Sequence, residues 1–276
     1  MTNLNFNVVS EKCIGCDACV NDCPHSIISR VEDQPPIIVS EKDCLECQHC
    51  FAVCPTGAIS IFGLKPEDSF VLTTETLPTF QQMKTLIRGR RSVRQFREEN
   101  VPCELIEEIL ADTAHAPTGC NDCDLTFTVV DKRNVLNQLL EQLVKMLEDK
   151  NATSVTATVP EFLLSAVVAY RQNGTDEFFR GAPHLLVISA GKKAHTPQED
   201  IALTLANFEL LAQSAGLGTT WCGMLKFAID IVPEFRVNLG LERDCKFYAM
   251  MFGYPAVRYA RTVQRNNAAI VRRIGN

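Results

Sequence analysis

The chain has 276 residues, of which 46% are hydrophobic and 22% are charged, and this length suits two domains or one large one. Its formal net charge of −6 does not favour a nucleic-acid partner, and its nine-residue apolar run FLLSAVVAY (162–170) is far too short to span a membrane. The first residues, MTNLNFNVVSEK, show no cationic segment followed by an apolar one. We therefore expect a cytoplasmic protein whose cysteines are not paired in disulfides.

Cysteines and acidic residues are concentrated at the amino-terminal end. Eight of the 13 cysteines precede residue 55, and residues 1–62 hold eight Asp and Glu against three Lys and Arg, a net charge of −5. The segment GLKPEDSFVLTTETLP that follows has two prolines and no clear periodicity. The sequence therefore predicts a cysteine-rich domain at 1–62, a linker at 63–80 and a second domain at 81–276.

Two copies of one motif contain all eight early cysteines. CIGCDACVNDCP begins at Cys13 and CLECQHCFAVCP begins at Cys44, and both read C-x2-C-x2-C-x3-C-P. In such runs the first three thiolates ligate one iron–sulfur cube, and the fourth ligates the other cube. The spacing thus predicts one 4Fe–4S cluster on Cys13, Cys16, Cys19 and Cys54, and a second on Cys44, Cys47, Cys50 and Cys23.

The double motif resembles a bacterial two-cluster ferredoxin over about residues 8–62. The resemblance implies a pseudo-two-fold arrangement, with short strands at SIIS and AIS after the two motifs. The alternative is zinc, which takes four ligands, usually from paired C-x2-C units. Zinc requires neither the third cysteine at equal spacing nor the final proline, so the pattern favours clusters. Because eight cysteines already supply both sites, we expect His25 and His49 to be surface residues.

The rest of the chain alternates helical and strand-like patterns. Apolar periodicity predicts helices at about 80–87, 102–113, 134–150 and 198–218, the last with glycines at its carboxyl end. Apolar and β-branched runs predict strands at 125–130, 182–190, 219–225 and 245–255. GLGTTWCG is not a G-x-G-x-x-G motif because Trp221 stands at the third glycine, and no phosphate-binding Walker loop is present, so a Rossmann site is not expected.

Six cations lie within fourteen residues at Lys84, Arg88, Arg90, Arg91, Arg94 and Arg97. Such a run is usually a solvated helix face. The serine among these arginines, Ser92, indicates a phosphate site instead, because guanidinium groups bind phosphate oxygens in pairs.

Four segments of the second domain together resemble nitroreductase-type FMN flavoproteins, over residues 81 to about 265. They are RRSVRQF (90–96), APTGCN (116–121), GLGTTWCG (216–223) and GYP (253–255) before a basic tail. The resemblance implies an α+β fold with a central, mostly antiparallel sheet flanked by helices. It also implies a homodimer with FMN bound at the subunit interface.

The resemblance further implies the residues that contact the flavin. Phosphate and ring-edge contacts are expected from Arg90, Arg91, Ser92 and Arg94, with Arg258 and Arg261 from the tail. The ring is expected to be reached from the partner subunit by Pro117, Thr118 and Asn121, while the backbone amides of Cys222 and Gly223 face flavin N5. The family usually continues Asn-x-Gln-Pro-Trp, whereas this chain continues after Asn121 with Asp-Cys-Asp-Leu.

The remaining cysteines and histidines give no catalytic assignment. Cys103 and Cys245 are expected to pack in the interior. Cys120 and Cys123 form a C-x2-C pair that could be a redox dithiol, although Cys120 falls on a spacer position of the flavin loop. The histidines outside the first domain, His115, His184 and His195, have no carboxylate partner pattern.

These features predict an FMN-dependent oxidoreductase that reduces a small acceptor, such as a nitroaromatic compound or a quinone, with electrons passed through two clusters. A ferredoxin or NAD(P)H is the expected donor. Two alternatives stay open: an electron-transfer protein that serves a protein partner, and a redox sensor without turnover.

Overall fold

The computed structural model describes residues 3–153, 159–265 and 269–275. The chain divides into two units, Met1–Pro78 with Cys120–Asp122, and Thr79–Gly119 with Cys123–Asn276. Within the described ranges, no helix combines the length and the hydropathy needed to cross a bilayer.

The first unit consists of short elements arranged in two similar halves. Its strands are β1 (Asn7–Val8), β2 (Ile28–Ser29), β3 (Ile37–Ile38) and β4 (Ile59–Ser60), and its helices are α1 (Ala18–Asn21) and α2 (His49–Ala52). β1 pairs antiparallel with β4, and β2 pairs antiparallel with β3. The strands expected at SIIS and AIS are therefore confirmed, as β2 and β4.

The two helices of the first unit begin in the same way. The residue before each helix adopts a left-handed conformation, at Asp17 with φ 59° and at Gln48 with φ 59°. A small core of Ile27, Ile28, Ile59 and Ile61 lies between the halves with two buried cysteines. His25 and His49 are exposed, as expected.

The second unit is built on a four-stranded antiparallel sheet. Its strands are β5 (Leu125–Val130), β6 (His184–Ala190), β7 (Gly218–Trp221) and β8 (Phe247–Gly253), in the order β5-β6-β8-β7. Its helices are α3 (Phe80–Gly89), α4 (Cys103–Thr113), α5 (Arg133–Thr153), α6 (Glu161–Asn173), α7 (Pro197–Ser214) and α8 (Gly223–Ile231). The expected α+β fold with a mostly antiparallel sheet flanked by helices is confirmed.

Helices cover both faces of this sheet, so β6 is buried along its whole length. Alternate residues of a strand point to opposite faces. Leu185 and Val187 accordingly lie in a core shared with α5, α6 and α8, whereas Leu186 and Ile188 lie in a core shared with α4 and α7.

Local signals fix several helix ends. Thr79 caps α3 and forms a capping box with Gln82, which satisfies two amide groups at the helix start. Pro197 occupies the first turn of α7, and Gly174 ends α6 in a left-handed conformation with φ 72°.

Two expectations about this unit were wrong, and one helix was not predicted. The segment TTWCGML is not one strand, since β7 ends at Trp221 and α8 begins at Gly223. The helix α8 was missed although its buried residues, Leu225, Ala228 and Ile229, follow helical spacing. No element was predicted at α6. Cys103 is exposed rather than buried, because it is the first residue of α4 and its Sγ lies 3.6 Å from Glu107 Oε1. Cys245 is half-buried against the core, as expected.

Candidate functional site

Two groups of four cysteines in the first unit each surround one cavity. Cys13, Cys16, Cys19 and Cys54 line the first cavity. Cys23, Cys44, Cys47 and Cys50 line the second. Each group takes three thiols from one motif and the fourth from the other. The structure therefore brings together the two ligand sets that the motif spacing predicts.

The loop around the first cavity depends on a glycine and an ion pair. Gly15 adopts φ +66°, which a residue without a side chain tolerates best. The guanidinium of Arg30 lies 3.5 Å from the position that a Gly15 Cβ would occupy, and its Nη2 donates to Asp17 Oδ2 at 3.0 Å. This pair holds the loop between Cys13 and Cys19 against the strand that follows it.

Several of these thiols are partly withdrawn from water, and this changes the pKa of four of them. Burial raises the pKa of Cys19 and of Cys44, and it raises the pKa of Cys50 to about 11. Burial acts in the same direction on Cys54, but hydrogen bonds from Ala58 N and its neighbours outweigh it, so the Cys54 pKa is lowered. Since iron binds thiolates, cluster assembly must release the protons of Cys19, Cys44 and Cys50.

The donor sets fit iron–sulfur clusters. In each cavity the four thiols stand around a space, as separate iron atoms of one cube require. Within residues 3–153, 159–265 and 269–275, no group of three or more His, Cys, Asp or Glu side chains meets closely enough to hold a single metal ion.

A cavity of about 450 Å³ in the second unit is lined by arginines. Arg91, Arg97 and Arg258 contribute to its walls together with the glycine-containing turn at 216–218. Arg91 Nε is buried and has no hydrogen-bond partner among the described residues. An unsatisfied buried donor beside two further cations fits an anion with several acceptor oxygens, such as a phosphate group.

The segment that carries these arginines is attached to β7. Val93 N donates to Thr219 O at 2.9 Å, and Thr220 Oγ1 donates to Val93 O. Gly218 allows this approach, because a Cβ there would lie 2.6 Å from Val93 Cγ2. The segment 90–94 therefore runs beside the start of β7.

The predicted arginine and serine contacts are not all placed alike. Arg90 Nη1 donates to the buried Glu209 Oε1 at 2.9 Å, so part of this guanidinium is already occupied. Arg94 Nη1 lies 3.4 Å from Ser92 O, and Arg261 is exposed in the tail. Of the predicted residues, the arginine-lined cavity includes only Arg91 and Arg258.

Two residues of this region were not predicted as site residues. Arg97 belongs to the cation run, but sequence alone does not show that it turns towards the cavity. Glu209 is an acidic residue on the apolar face of α7, which is the signal that could have identified it. A buried carboxylate needs a partner, and Arg90 provides it.

The APTGCN loop is held by its own hydrogen bonds. Cys123 N donates to Thr118 Oγ1 at 3.0 Å, and Gly119 N donates to Asp200 Oδ1 at 2.9 Å. Asn121, which has φ 56°, belongs to the first unit, where its Nδ2 donates to Leu45 O at 3.0 Å. Pro117 is exposed at the start of this loop. The contact of these residues with a partner subunit's flavin stays a prediction.

The backbone amide of Cys222 has a hydrogen-bond partner within the chain. It donates to Ala249 O at 2.8 Å, which extends the pairing of β7 and β8 by one residue. The side chain is fully enclosed, its Sγ lies 3.4 Å from Phe178 O, and burial raises the Cys222 pKa to about 12. The amide that the family resemblance places opposite flavin N5 therefore already has a backbone acceptor, and Gly223 lies in the first turn of α8. The contact of Cys222 and Gly223 with a flavin stays a prediction.

Comparisons with known proteins match both units. A model of the nitroreductase family matches residues 87–254, and a model of a 4Fe-4S dicluster domain matches residues 12–58. Mouse iodotyrosine deiodinase 1 is 28% identical over 187 residues, which are 64% of this chain and 63% of the mouse protein. The chain thus covers slightly less than two thirds of that relative.

Solved structures show the same fold. A Bacteroides fragilis nitroreductase with bound FMN is 25% identical, with a TM-score of 0.55 over 69% of this chain and 99% of that chain. An FMN-dependent nitroreductase from Clostridium difficile is 19% identical and matches with a TM-score of 0.51 over 70% of this chain and 100% of that chain. With a family model that covers more than half of its length, this chain belongs to the nitroreductase family and carries a 4Fe-4S dicluster domain at its amino-terminal end.

Proposed function

We propose that this protein is an FMN-dependent oxidoreductase that reduces a small acceptor, such as a nitroaromatic compound or a quinone, with electrons that pass through two 4Fe–4S clusters. The observation that carries the proposal is that one chain contains two four-thiol cavities and, in a nitroreductase-family domain, an arginine-lined cavity. FMN accepts one or two electrons, so it couples one-electron carriers to a two-electron acceptor.

The arginine-lined cavity supports FMN binding through its phosphate. Arg91, Arg97 and Arg258 supply the positive charge, and Arg91 Nε, which has no partner in the described part of the chain, supplies a buried donor. The Bacteroides relative was solved with bound FMN. Ser92 and Arg94 lie on the same segment and are proposed to add contacts along the ribityl chain or at the ring edge.

The direction in which the cofactor extends is inferred from β7. The arginine-lined cavity includes Gly218 at the start of β7, and Trp221 ends the strand beside Cys222 and Gly223. Three residues of strand span about 10 Å. With its phosphate at the first end, FMN would reach Trp221 and the first turn of α8 with its ring if it extends along β7, and the role that the family resemblance gives to Gly223 supports this direction.

The partners follow from the same proposal. The protein is a homodimer in which Pro117, Thr118 and Asn121 complete the partner's flavin site. The electron donor is a reduced ferredoxin or NAD(P)H. Reduction of a quinone to a hydroquinone takes two electrons and two protons, so two equivalents of a one-electron donor are consumed for each product.

The electron route can be tested in the full-length holoprotein under anaerobic conditions. Flavin reduction by reduced methyl viologen is followed by stopped flow in the wild type and in Cys54→Ala. The variant loses a ligand of the first cavity, so we expect flavin reduction to be at least tenfold slower. Cys103→Ala, which changes an exposed thiol outside both cavities, is the control and keeps the wild-type rate.

Two results would contradict the proposal. Equal rates in the wild type and Cys54→Ala, with loss of cluster absorbance in the variant, would show that this cluster does not carry the electrons. Purified, iron-loaded protein that retains FAD or no flavin would contradict the FMN assignment.

A further inference from the structure

A second large cavity of the second unit has no role in the arguments above. It has a volume of about 600 Å³ and lies where the ends of β7 and the start of β8 meet α7 and α8. Trp221 and Tyr248 form an aromatic wall, with ring centroids 5.3 Å apart and planes at 62°. Ile201 and Ala202 add apolar surface from α7. The wall therefore suits a planar ring.

The cavity also has an excess of positive charge. Four cations and two carboxylates line it, namely Lys226, Arg236, Arg243, Lys246, Asp230 and Asp244, a net charge of +2. Lys226 and Asp230 neutralise each other, with Nζ–Oδ1 at 2.6 Å. The remaining positive charge comes from Arg236, Arg243 and Lys246, and Asp244 neutralises only one of these three cations.

Arg236 is held rigidly in this cavity. Its Nη1 donates to the carbonyl oxygens of Glu242 at 3.1 Å and Cys245 at 3.2 Å. Its guanidinium lies 4.9 Å from the centroid of the Phe247 ring. A fixed guanidinium loses little conformational freedom when an anion binds, so it is well suited to ligand recognition.

Tyr248 offers a neutral hydrogen-bond donor at the same place. Its hydroxyl lies 3.4 Å from the position that a Cβ on Gly223 would occupy, at the start of α8. Burial raises the pKa of Tyr248, so the O–H remains protonated and can donate to an anionic oxygen.

We propose that this cavity binds an aromatic compound that carries an anionic oxygen group, either a carboxylate or a phenolate. The ring packs against Trp221 and Tyr248, and the anionic group faces Arg236, Arg243 and Lys246. Within the proposed function, on which this last step rests, the ligand is the electron acceptor, because Trp221 directly precedes the Cys222–Gly223 turn towards which the flavin ring extends.

Binding can be measured without turnover. Isothermal titration calorimetry of oxidised holoprotein compares phenylacetate and pentafluorophenolate with neutral benzyl alcohol and with non-aromatic cyclohexylacetate. Trp221 is the only tryptophan of the sequence, so a change in tryptophan emission on binding locates the probe at this wall. We expect at least one aromatic anion to bind about tenfold more tightly than both benzyl alcohol and cyclohexylacetate, and the better of the two identifies carboxylate or phenolate as the preferred group.

Charge variants test the recognition of the anion. Arg243→Gln with Lys246→Gln removes two cavity cations, and we expect the preferred anion to bind about tenfold more weakly. Lys132→Gln with Lys145→Gln removes two exposed cations at α5 and is the matched control, in which affinity is unchanged. Tyr248→Phe keeps the aromatic wall and is expected to weaken binding several-fold.

The outcomes distinguish failure of the ligand site from failure of the proposed oxidoreductase function. The cavity assignment would be overturned if neither phenylacetate nor pentafluorophenolate bound more tightly than benzyl alcohol, if Trp221 emission did not change on binding, or if the control pair lost as much affinity as Arg243→Gln with Lys246→Gln. If 4-nitrobenzoate binds with the expected charge dependence but is not reduced by the FMN-loaded, electron-supplied protein, the ligand site stands and the proposed function fails.

Discussion

Arg90 and Glu209 form an ion pair that connects the end of α3 to the buried face of α7, with Nη1 and Oε1 2.9 Å apart. The Glu209 side chain is 9% exposed and that of Arg90 is 26% exposed. Thr219 Oγ1 donates to the same carboxylate oxygen at 3.3 Å, which extends the network to β7. The arginine that sequence resemblance assigns to a flavin phosphate thus also neutralises a buried carboxylate.

Replacing Arg90 by alanine should therefore reduce stability as well as FMN binding. The change leaves the Glu209 carboxylate buried without a cation, and we expect the free energy of unfolding to fall by about 2–3 kcal/mol. Adding Glu209→Gln should recover more than half of this loss, because the uncompensated charge is removed. Urea unfolding followed by circular dichroism measures both, with the exposed Arg88→Ala as the control.

The double variant also resolves the role of Arg90 in cofactor binding. If Arg90→Ala/Glu209→Gln is folded and retains FMN with wild-type affinity, Arg90 does not contact the phosphate. The phosphate contacts would then belong to Arg91, Arg97 and Arg258. A loss of FMN affinity of about tenfold or more in the folded double variant would confirm the contact that the resemblance implies.

A single methyl group at Gly218 should disturb the arginine segment. The added Cβ would lie 2.6 Å from Val93 Cγ2 and 2.8 Å from Val93 Cβ, so segment 90–94 must shift away from β7. We expect Gly218→Ala to destabilise the protein by about 1–3 kcal/mol and to weaken FMN retention. Gly89→Ala is the matched control for stability, since among the described residues no atom outside its own helical turn lies within 4 Å of its Cβ position. Equal behaviour of the two variants would mean that the contact with Val93 does not position the segment.

The parts of the molecule that sequence predicted correctly are those that depend on local pattern. The strands after each cysteine motif and the sheet of the second unit follow from short apolar runs, and the helices α3, α4, α5 and α7 follow from apolar periodicity, whereas α6 and α8 were missed. The grouping of Cys54 with Cys13 could be predicted because the fourth cysteine of each such motif is known to ligate the cluster of the other motif.

The parts that sequence missed depend on contacts between distant segments. The Arg90–Glu209 pair requires α3 to lie beside α7, and residue spacing carries no information about that. The occupied amide of Cys222 follows from β7–β8 pairing, and Asn121 contacts Leu45 across 76 residues of sequence. Motif resemblance transfers residue positions, but it does not transfer the hydrogen bonds that a particular chain has already made.

The crossed ligand sets predict which cluster each cysteine supports. Cys54→Ala should lower the iron content of anaerobically reconstituted protein from about eight to about four atoms per chain, since only the first site loses a ligand. Cys23→Ala should have the same effect on the second site. Cys54→Ala combined with Cys23→Ala should lose the iron of both sites. Cys54→Ala combined with Cys13→Ala should lose no more iron than either single change. An additive loss in that last pair would contradict a shared site.

The buried imidazole of His184 should make the stability of the second unit depend on pH. His184 is fully buried and stacks on Phe252 with ring centroids 5.0 Å apart. Val101 N donates to its Nε2 at 2.8 Å, so this nitrogen must carry no proton in the folded protein. Burial lowers the pKa of His184, although nearby Asp131 acts in the opposite direction.

The direction of the pH effect follows from this lowered pKa. In the unfolded chain the imidazole titrates near its ordinary pKa of about 6.5, so below that pH the unfolded state binds a proton that the folded state does not. Stability should therefore fall as pH decreases from about 7 through 6.5 towards the folded pKa, by up to about 1.4 kcal/mol per pH unit. His184→Gln retains an acceptor for Val101 N but does not titrate, so its unfolding midpoint should vary less between pH 7 and pH 5. The exposed His115→Gln is the control and should keep the wild-type slope. If His184→Gln also keeps that slope, the acid sensitivity of the fold arises elsewhere.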